Sequence, residues 1–214
     1  HDVLAAITGR DLSPMTYYSC TEASILGIRT LVSRTGYTGE AGYELYFDSS
    51  VASARKIWNA IMSAGKAHGI QPAGLGARDT LRLEMGFCLY GTDIDEATNP
   101  LEAGLGWITK LGKGDFIGRD ALLKVKESGP SRKLTGFTLD EPRAVPRQHY
   151  TLSADGKEVG EVTSGTLSPT LDRGIGMGYL PAGMSVPGRS ISVMIRGKSA
   201  PATTVQLPFV KSNV

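Results

Sequence analysis

Apolar residues recur at helical spacing in the first half of the chain. Between residues 49 and 69 they fall on one helix face, at Val51, Ala54, Ile57 or Trp58, Ile61 and Ala64. This spacing predicts an amphipathic helix, with Ser49 or Ser50 placed to cap its start and Gly69 to end it. The same kind of spacing predicts two shorter helices, at 74–86 and 116–129.

Two strand-like segments precede the first of these helices. "GIRTLVSRT" (27–35) and "YELYF" (43–47) are rich in β-branched and aromatic residues, so they predict a hairpin with a long tip. The tip carries a glycine at every third position, at Gly36, Gly39 and Gly42. Because glycine adopts positive φ without strain, we expect these three to let the tip fold tightly and bring Tyr37 beside Glu44.

A different pattern starts at about Lys133, where short β-like segments alternate with turns that contain Gly or Pro. The segments are "KLTGFTL", "HYTLS", "KEVGEVTS", "GIGMGYL", "SISVMI" and "TTVQL". Such a series predicts a sandwich or a small barrel. No helix follows "GIGMG", so we interpret it as a strand packed closely against a neighbour. The change of pattern predicts an α+β region at 1–129 and an all-β domain at 130–214.

Composition and charge exclude several classes of protein. The 214 residues are 41% hydrophobic and 21% charged, with a formal charge of +2, which is typical of a folded globular chain. The basic residues are scattered, so we expect no nucleic-acid partner. No apolar run approaches the length of a membrane span, so we expect no membrane partner. Cys20, Cys88 and the three histidines match no metal-ligand spacing, so we expect no metal and reduced, mostly buried thiols.

The glycine-rich loop lacks the common phosphate-binding motifs. It has no Gly-Lys-Ser/Thr ending, and a strand rather than a helix follows it. On that strand Glu44 and Tyr46 share one face. A carboxylate beside an aromatic ring can accept two parallel hydrogen bonds from a neutral N–H/N–H₂ edge, such as that of a 2-amino-pyrimidinone. The alternative, a solvent-facing glutamate on a surface strand, stays open at this point.

The helix at 74–86 carries an i, i+4 pair of arginines, Arg78 and Arg82. This like-charge pair is mildly unfavourable without a nearby carboxylate or anionic ligand. Asp79 and Glu84 can act as partners on the same helix, so a solvated charged face is the alternative interpretation.

The next segment, "YGTDIDE", lacks the spacing of a calcium loop, and we interpret it as a polar loop around a buried Ile94. The serines lack a G-x-S-x-G elbow, and no histidine lies near a nucleophile in the sequence. The residues alone therefore favour the ligand-binding half of a site, without an assembled catalytic group.

Five segments together resemble one family of enzymes. They are "SRTGYTGEAGYELYF", "GIQPAGLGARDTLRLEMGFCLYGTDIDEATNPLEAGLGW", "DFIGRDALL", "VTSGTLSPTLDRGIGMGYLP" and "LPFV". In this order they are similar to the glycine cleavage system T-proteins, the tetrahydrofolate-dependent aminomethyltransferases. Enzymes that oxidise sarcosine or dimethylglycine, and non-catalytic folate-binding homologues, carry related motifs. A folate-binding module of such a protein is therefore the alternative, although "YGTDIDE" favours the aminomethyltransferases.

The resemblance implies a fold and a set of ligand-binding residues. The family has a three-lobed fold around a central folate site and ends in an antiparallel β-barrel domain, so we expect an α+β chain that forms part of this fold. Tyr37 and Glu44 match the family's loop tyrosine and strand carboxylate, with Glu44 at the pterin edge. Arg78 matches the arginine of "LGARD", and Trp107 of "GLGW" matches an aromatic contact.

The resemblance also implies a reaction, a cofactor and a partner. The family passes the methylene of an aminomethyl group, carried on the lipoyl arm of the H-protein, to tetrahydrofolate and releases ammonia. Its catalytic aspartate lies in an N-terminal portion, so we expect this chain to be a fragment without a catalytic residue, inactive alone. Arg143 or Arg147 corresponds to the basic residue of the family's domain-junction loop. The expected location is the bacterial cytoplasm or the mitochondrial matrix.

Overall fold

The computed structural model describes residues 1–142 and 144–212, and these form two compact units. The first contains residues 1–78 together with residue 212, and the second contains residues 79–211. The division between the two units lies within the helix Leu75–Glu84. The boundary between residues 129 and 130, inferred from the change of sequence pattern, stays a prediction.

The first unit contains a three-stranded antiparallel sheet and two helices. The strands, in spatial order, are β1 (Cys20–Ile25), β2 (Ile28–Ser33) and β3 (Glu44–Tyr46). The helices are α1 (Asp2–Thr8) and α2 (Val51–Gly65), and a 3-10 turn at Lys66–His68 follows α2. The pairing of β2 with β3 confirms the predicted hairpin. Helix α1 and strand β1 were not predicted from the sequence.

Local sequence explains where α2 begins and ends. The Ser50 hydroxyl accepts a hydrogen bond from the Ser53 amide at 3.1 Å, which satisfies one of the N–H groups left unpaired at a helix start. The chain then leaves the 3-10 turn at Gly69, whose φ of 70° suits glycine. Ile57 is buried on the inner face of the helix. The predicted amphipathic helix is therefore confirmed, with Ser50 as its cap.

The sheet of the first unit is apolar on one face and polar on the other. Ala23 of β1 and Val32 of β2 pack in a buried cluster with Leu4 and Leu12. Because side chains alternate along a strand, their neighbours lie on the opposite face. This opposite face is called the Glu44 face, and it carries Cys20, Glu22, Leu31, Ser33, Glu44 and Tyr46.

The second unit contains a closed antiparallel barrel of six strands. They are β4 (Arg132–Leu139), β5 (Thr151–Ala154), β6 (Lys157–Ser168), β7 (Arg173–Pro181), β8 (Ser190–Ile195) and β9 (Lys198–Val205). The order around the barrel is β4-β7-β6-β5-β8-β9, and β9 pairs with β4 to close it. Of the two alternatives that the strand pattern left open, the chain forms the barrel.

Two further helices complete the fold, α3 (Leu75–Glu84), which contains the division between the units, and α4 (Arg119–Ser128). They confirm the two shorter helices predicted from apolar spacing. In the part of the chain that the structure describes, no helix combines the length and the apolar character needed to cross a bilayer.

Glycines on β7 allow the barrel strands to approach each other closely. A Cβ added at Gly176 would lie 2.5 Å from the ring of Phe137, and one added at Gly178 would lie 2.7 Å from Leu152 Cδ1 and closer still to the Glu161 carbonyl oxygen. At Gly174 an added Cβ would collide with the Ala144 carbonyl oxygen. Side chains do not fit at these positions. The interpretation of "GIGMG" as a closely packed strand is confirmed.

Candidate functional site

Glu44 is a half-buried carboxylate whose position is fixed by two hydroxyl groups. It begins β3, and its Oε2 accepts hydrogen bonds from Thr35 Oγ1 and, at 3.2 Å, from Tyr46 Oη. The shared face of Glu44 and Tyr46 is the one predicted from strand alternation, whereas Thr35 was not expected as a partner. Such charge-assisted bonds are stronger than neutral ones. Glu44 is therefore an ordered acceptor rather than a loosely solvated surface residue.

The sheet register extends this polar patch across two further strands. Ser33 lies directly opposite Glu44, and Cys20 lies directly opposite Ser33. Thr35 Oγ1 is 2.9 Å from Ser33 Oγ. Cys20, Ser33 and Glu44 therefore form a row of polar side chains across the three strands, with the glutamate at one end.

Tyr17 adds an aromatic ring near Glu44. Its pKa is raised chiefly by burial, then by Tyr18, and also by the negative charge of Glu44. Its ring centroid lies 4.3 Å from that of Tyr18, with the planes inclined by 56°. The Glu44 charge likewise raises the pKa of Tyr46. Tyr46 therefore bonds to the carboxylate and Tyr17 lies within range of its charge, but Tyr17 follows no local pattern from which its role could have been predicted.

The glycine-rich loop owes its shape to one glycine rather than three. Gly39 is buried and has φ = 74°. Residues with a Cβ adopt this backbone conformation only with strain. Gly36 and Gly42 have no such φ, and a Cβ added at either would meet only the Glu40 carbonyl oxygen, at 3.9 and 3.8 Å. The expectation that all three glycines are needed for tight folding is therefore wrong for these two.

Polar contacts tie the loop down at several points. Arg34 Nη1 donates to the Gly42 carbonyl oxygen at 3.0 Å, and the same guanidinium lies 4.5 Å from the Tyr43 ring centroid. Ser212 Oγ donates to the Gly39 carbonyl oxygen at 3.3 Å. The loop is therefore held by hydrogen bonds and by a cation–π contact.

Tyr37 and Arg78, two of the predicted site residues, are brought together by the structure. The Arg78 guanidinium carbon lies 4.6 Å from the centre of the Tyr37 ring, within cation–π range. Arg78 belongs to the first turn of α3 and is exposed. This contact joins the tip of the glycine-rich loop to the start of α3 inside the first unit.

Trp107, the fourth predicted site residue, belongs to the second unit and is 63% exposed. It lines a cleft of about 690 Å³ with Leu101 and three lysines, Lys110, Lys113 and Lys126. The ammonium group of Lys113 lies 4.8 Å from the Phe116 ring centroid. An aromatic wall with several cationic side chains can accept a ring that carries an anionic substituent.

Arg82 is buried, so the alternative of a solvated charged face on α3 is wrong for this residue. It is 2% exposed and its Nη1 contacts Asp93 Oδ2 at 2.5 Å, while Nη2 donates to Asp79 Oδ1 and Ser164 Oγ, each at 2.8 Å. Thr163 Oγ1 donates to Asp93 Oδ1 at 2.5 Å. Burial lowers the pKa of Arg82, but Asp93 and Asp79 outweigh it, so the net shift is upward. Arg82 is a structural cation.

The loop after α3 closes around Asp93 rather than around Ile94. Asp93 is 1% exposed, whereas Ile94 is only half-buried, so the expectation of a buried Ile94 is wrong. Glu84 is also buried, and it accepts hydrogen bonds from the Ser168 hydroxyl and, at 3.0 Å, from the Thr170 hydroxyl. Each carboxylate has hydrogen-bond partners 70 to 86 residues away in sequence, and Asp93 also pairs with Arg82.

The cysteines differ from each other in environment. Cys20 is exposed, contrary to the expectation of mostly buried thiols, and Cys88 is half-buried. Burial, assisted by the charge of Asp93, raises the pKa of Cys88 to about 11. Among the described residues, no group of three or more His, Cys, Asp or Glu side chains could hold a metal ion. Arg147 is exposed, and Arg143 lies outside the described residues.

Two family models together match most of the chain. Residues 1–113 match the model described as the GCVT N-terminal domain. Residues 132–211 match the model of the glycine cleavage T-protein C-terminal barrel domain, in agreement with the closed barrel found there.

Named relatives and a solved structure agree with these matches. The chain is 51% identical to the aminomethyltransferase of Halothermothrix orenii over 97% of its own length and 57% of that protein. It is 50% identical to the aminomethyltransferase of Porphyromonas gingivalis over 98% of its own length and 58% of that protein. The crystal structure of glycine cleavage system aminomethyltransferase T from Bartonella henselae superposes with a TM-score of 0.87, at 32% identity, over 99% of this chain and 57% of that one.

The chain therefore spans a little over half the length of the curated relatives that it matches. The predicted fold class, α+β with a C-terminal antiparallel barrel of the T-protein type, is confirmed. The resemblance found in the sequence is confirmed as well: the chain belongs to the glycine cleavage T-protein family.

Proposed function

We propose that this chain supplies the folate-binding part of a tetrahydrofolate-dependent aminomethyltransferase of the glycine cleavage system. Membership of the T-protein family and the names of the relatives support this assignment. The single observation that carries it is the environment of Glu44. Two hydroxyl donors order its carboxylate, and the phenol rings of Tyr46 and Tyr17 lie near it.

The Glu44 carboxylate is an acceptor that suits the edge of a reduced pterin. That edge carries a ring N–H and an adjacent amino group, both neutral donors, and an ionised carboxylate binds such donors with charge-assisted strength. Flat phenol rings can pack against the faces of the same heterocycle. Glu44 would bind the pterin edge, and Tyr46 and Tyr17 would lie beside the ring.

Three further residues complete the proposed folate contacts. Tyr37 and Arg78, already stacked on each other, would border the folate where the loop tip lies. Trp107, which belongs to the second unit, is proposed as a folate contact from the family resemblance alone. The proposed partner is the H-protein, whose lipoyl arm carries the aminomethyl group.

The proposed reaction moves one carbon. The aminomethyl carbon loses its bonds to the lipoyl sulfur and to the amine nitrogen, and it forms two bonds to folate nitrogens. The two protons released by those nitrogens go to the sulfur and to the departing ammonia. The residues of this chain bind and orient the folate, which reduces the entropic part of the barrier. None of them is assigned a proton transfer.

Calorimetric titration of the 214-residue chain with tetrahydrofolate, under anaerobic conditions, tests the proposal. Replacing Glu44 with Ala removes the acceptor of two hydrogen bonds, so we expect binding to weaken by about 10- to 100-fold. Glu22→Gln is the matched control, because Glu22 lies on the same sheet face, pairs with Arg29 and is exposed. It should bind tetrahydrofolate as the unmodified chain does.

Two results would contradict the proposal. One is no measurable binding of tetrahydrofolate by the unmodified chain. The other is an equal affinity in Glu44→Ala and in the unmodified chain. Titration with lipoylated H-protein from a glycine cleavage system tests the partner separately, and the absence of heat or of complex in gel filtration would remove that part of the proposal.

A further inference from the structure

The two oxygens of the Glu44 carboxylate have different surroundings. Both hydroxyl donors, from Thr35 and Tyr46, bind Oε2. Within residues 1–142 and 144–212, no hydrogen bond reaches Oε1. A carboxylate oxygen has two lone pairs, so two donors satisfy Oε2. Oε1 is therefore the oxygen that remains able to accept hydrogen bonds from a ligand.

The sheet fixes the first of these donors. Thr35 lies two residues after Ser33, which is paired directly with Glu44 across β2 and β3. A hydroxyl carries one hydrogen, so Thr35 donates it to Glu44 and accepts a hydrogen bond from Ser33 Oγ, 2.9 Å away. The strand register thus determines the direction from which Oε2 is held.

The second donor comes from the same strand as Glu44. Tyr46 lies two residues further along β3, on the same face, and its hydroxyl reaches back to Oε2 at 3.2 Å. The residue is 54% exposed, so Tyr46 contributes a hydrogen bond from its hydroxyl here rather than buried packing. Thr35 and Tyr46 reach one oxygen from two different parts of the chain.

Two anchors on one oxygen have an energetic consequence. The terminal torsion of a glutamate has a broad, twofold distribution, and an unanchored side chain loses rotamer freedom when it binds a ligand. Groups ordered before the ligand arrives avoid that loss. A carboxylate held by Oε2 therefore binds more tightly than the same carboxylate without the two hydroxyls.

We infer that Thr35 and Tyr46 are positioning residues that hold Glu44 by Oε2 and present Oε1 to the N–H edge of the pterin. This inference rests on the proposed function and deepens it.

Calorimetric titration with tetrahydrofolate and with its 2-desamino analogue tests the inference. The analogue lacks one of the two N–H donors. Thr35→Val and Tyr46→Phe should each weaken tetrahydrofolate binding by about tenfold, and they should weaken binding of the analogue less. Thr35→Ser, which keeps the hydroxyl, should restore the affinity. In a Glu44→Ala background, Thr35→Val should cause no additional loss, because both changes act through one carboxylate.

Controls separate positioning from folding. Thr38→Val, in the same loop, is the matched control and should keep the affinity of the unmodified chain, since the Thr38 hydroxyl makes no hydrogen bond among the described residues. Tyr46→Phe changes only an exposed hydroxyl, so its fold, checked by circular dichroism and thermal melting, should be intact.

The outcomes also separate the inference from the proposed function. Full tetrahydrofolate affinity in both Thr35→Val and Tyr46→Phe, with a loss in Glu44→Ala, overturns the positioning role alone. An additional loss from Thr35→Val in the Glu44→Ala background overturns it too. Full affinity in Glu44→Ala contradicts the proposed function, and the inference with it.

Discussion

Two segments of this chain are rich in glycine and have different physical roles. On β7, glycine alternates with apolar residues because a neighbouring backbone or ring occupies the space of each missing side chain. In the loop between β2 and β3, two of the three glycines have room for a Cβ, and only Gly39 needs its positive φ. A high content of glycine thus does not by itself distinguish close packing from a turn.

The difference has a practical meaning for substitutions. The barrel unit is fixed by packing and by buried charge, so changes there should lower the free energy of unfolding. The loop is fixed by one left-handed residue and by polar contacts, so changes there should have small effects on stability. Four experiments test this contrast, in order of decreasing effect.

The largest effect is expected from Asp93→Ala in the barrel unit. This change removes the closest carboxylate of the buried Arg82 guanidinium and leaves it only the more exposed Asp79, and removing one partner of a buried ion pair costs about 3–5 kcal/mol. Denaturant unfolding measures the loss. Asp95→Ala is the matched control, because Asp95 lies in the same loop and is exposed. Equal stability of the two variants would show that the buried pair does not stabilise the barrel unit.

Gly178→Ala should lower the free energy of unfolding of the same unit by roughly 3 kcal/mol, which is at the upper end of the range for adding a methyl group to a packed core. The new methyl group would collide with the Glu161 carbonyl oxygen and with Leu152. Gly183→Ala adds the same methyl group where nothing lies within 4 Å, and should leave the melting temperature nearly unchanged. A stable Gly178→Ala barrel would contradict the close-packing account of β7.

A smaller effect is expected in the loop. Gly39→Ala forces a residue with a Cβ to adopt φ = 74°, which costs about 1–2 kcal/mol. Gly36→Ala and Gly42→Ala should be close to neutral because each has space for the methyl group. Thermal and denaturant melts of the three variants give the ranking. If all three lost equal stability, the requirement for a single glycine would be wrong.

The last experiment compares the alkylation rates of the two cysteine thiols and needs no substitution. At pH 8 the Cys88 pKa of about 11 leaves the thiol almost entirely protonated, with roughly one thiolate in a thousand. Exposed Cys20 should therefore react with iodoacetamide much faster than Cys88. Because the Cys88 thiolate fraction rises towards pH 11, its labelling should accelerate with pH. Mass spectrometry of labelled peptides checks both statements, and equally fast labelling at pH 8 would refute them.

Local patterns in the sequence predicted much of the fold. The apolar spacing of α2 and its Ser50 cap act within one or two helical turns, so they are visible to sequence reasoning. Strand alternation likewise placed Glu44 and Tyr46 on one face. The barrel strands were recognisable because each is a short β-rich segment bounded by Gly or Pro.

Contacts between distant segments were not predictable in the same way. The buried carboxylates of Asp93 and Glu84 accept hydrogen bonds from hydroxyls of strand β6 and the turn after it, those of Thr163, Ser168 and Thr170. No local pattern relates those positions. For the candidate site, the pairing of Tyr37 with Arg78 and the Thr35 bond to Glu44 also required the folded chain. The folate-binding roles of Tyr37, Glu44, Arg78 and Trp107 stay predictions until the titrations are made.

The barrel and the three-stranded sheet also differ in whether they have edge strands. Closure gives each barrel strand two neighbours, whereas β1 and β3 each have one neighbour in the described part of the sheet. Unpaired backbone groups along an outer strand can recruit a strand from another molecule. Intermolecular strand addition should therefore begin at β1 or β3, and mild heating should produce assemblies in which these amides become protected from hydrogen exchange while barrel amides keep their native protection.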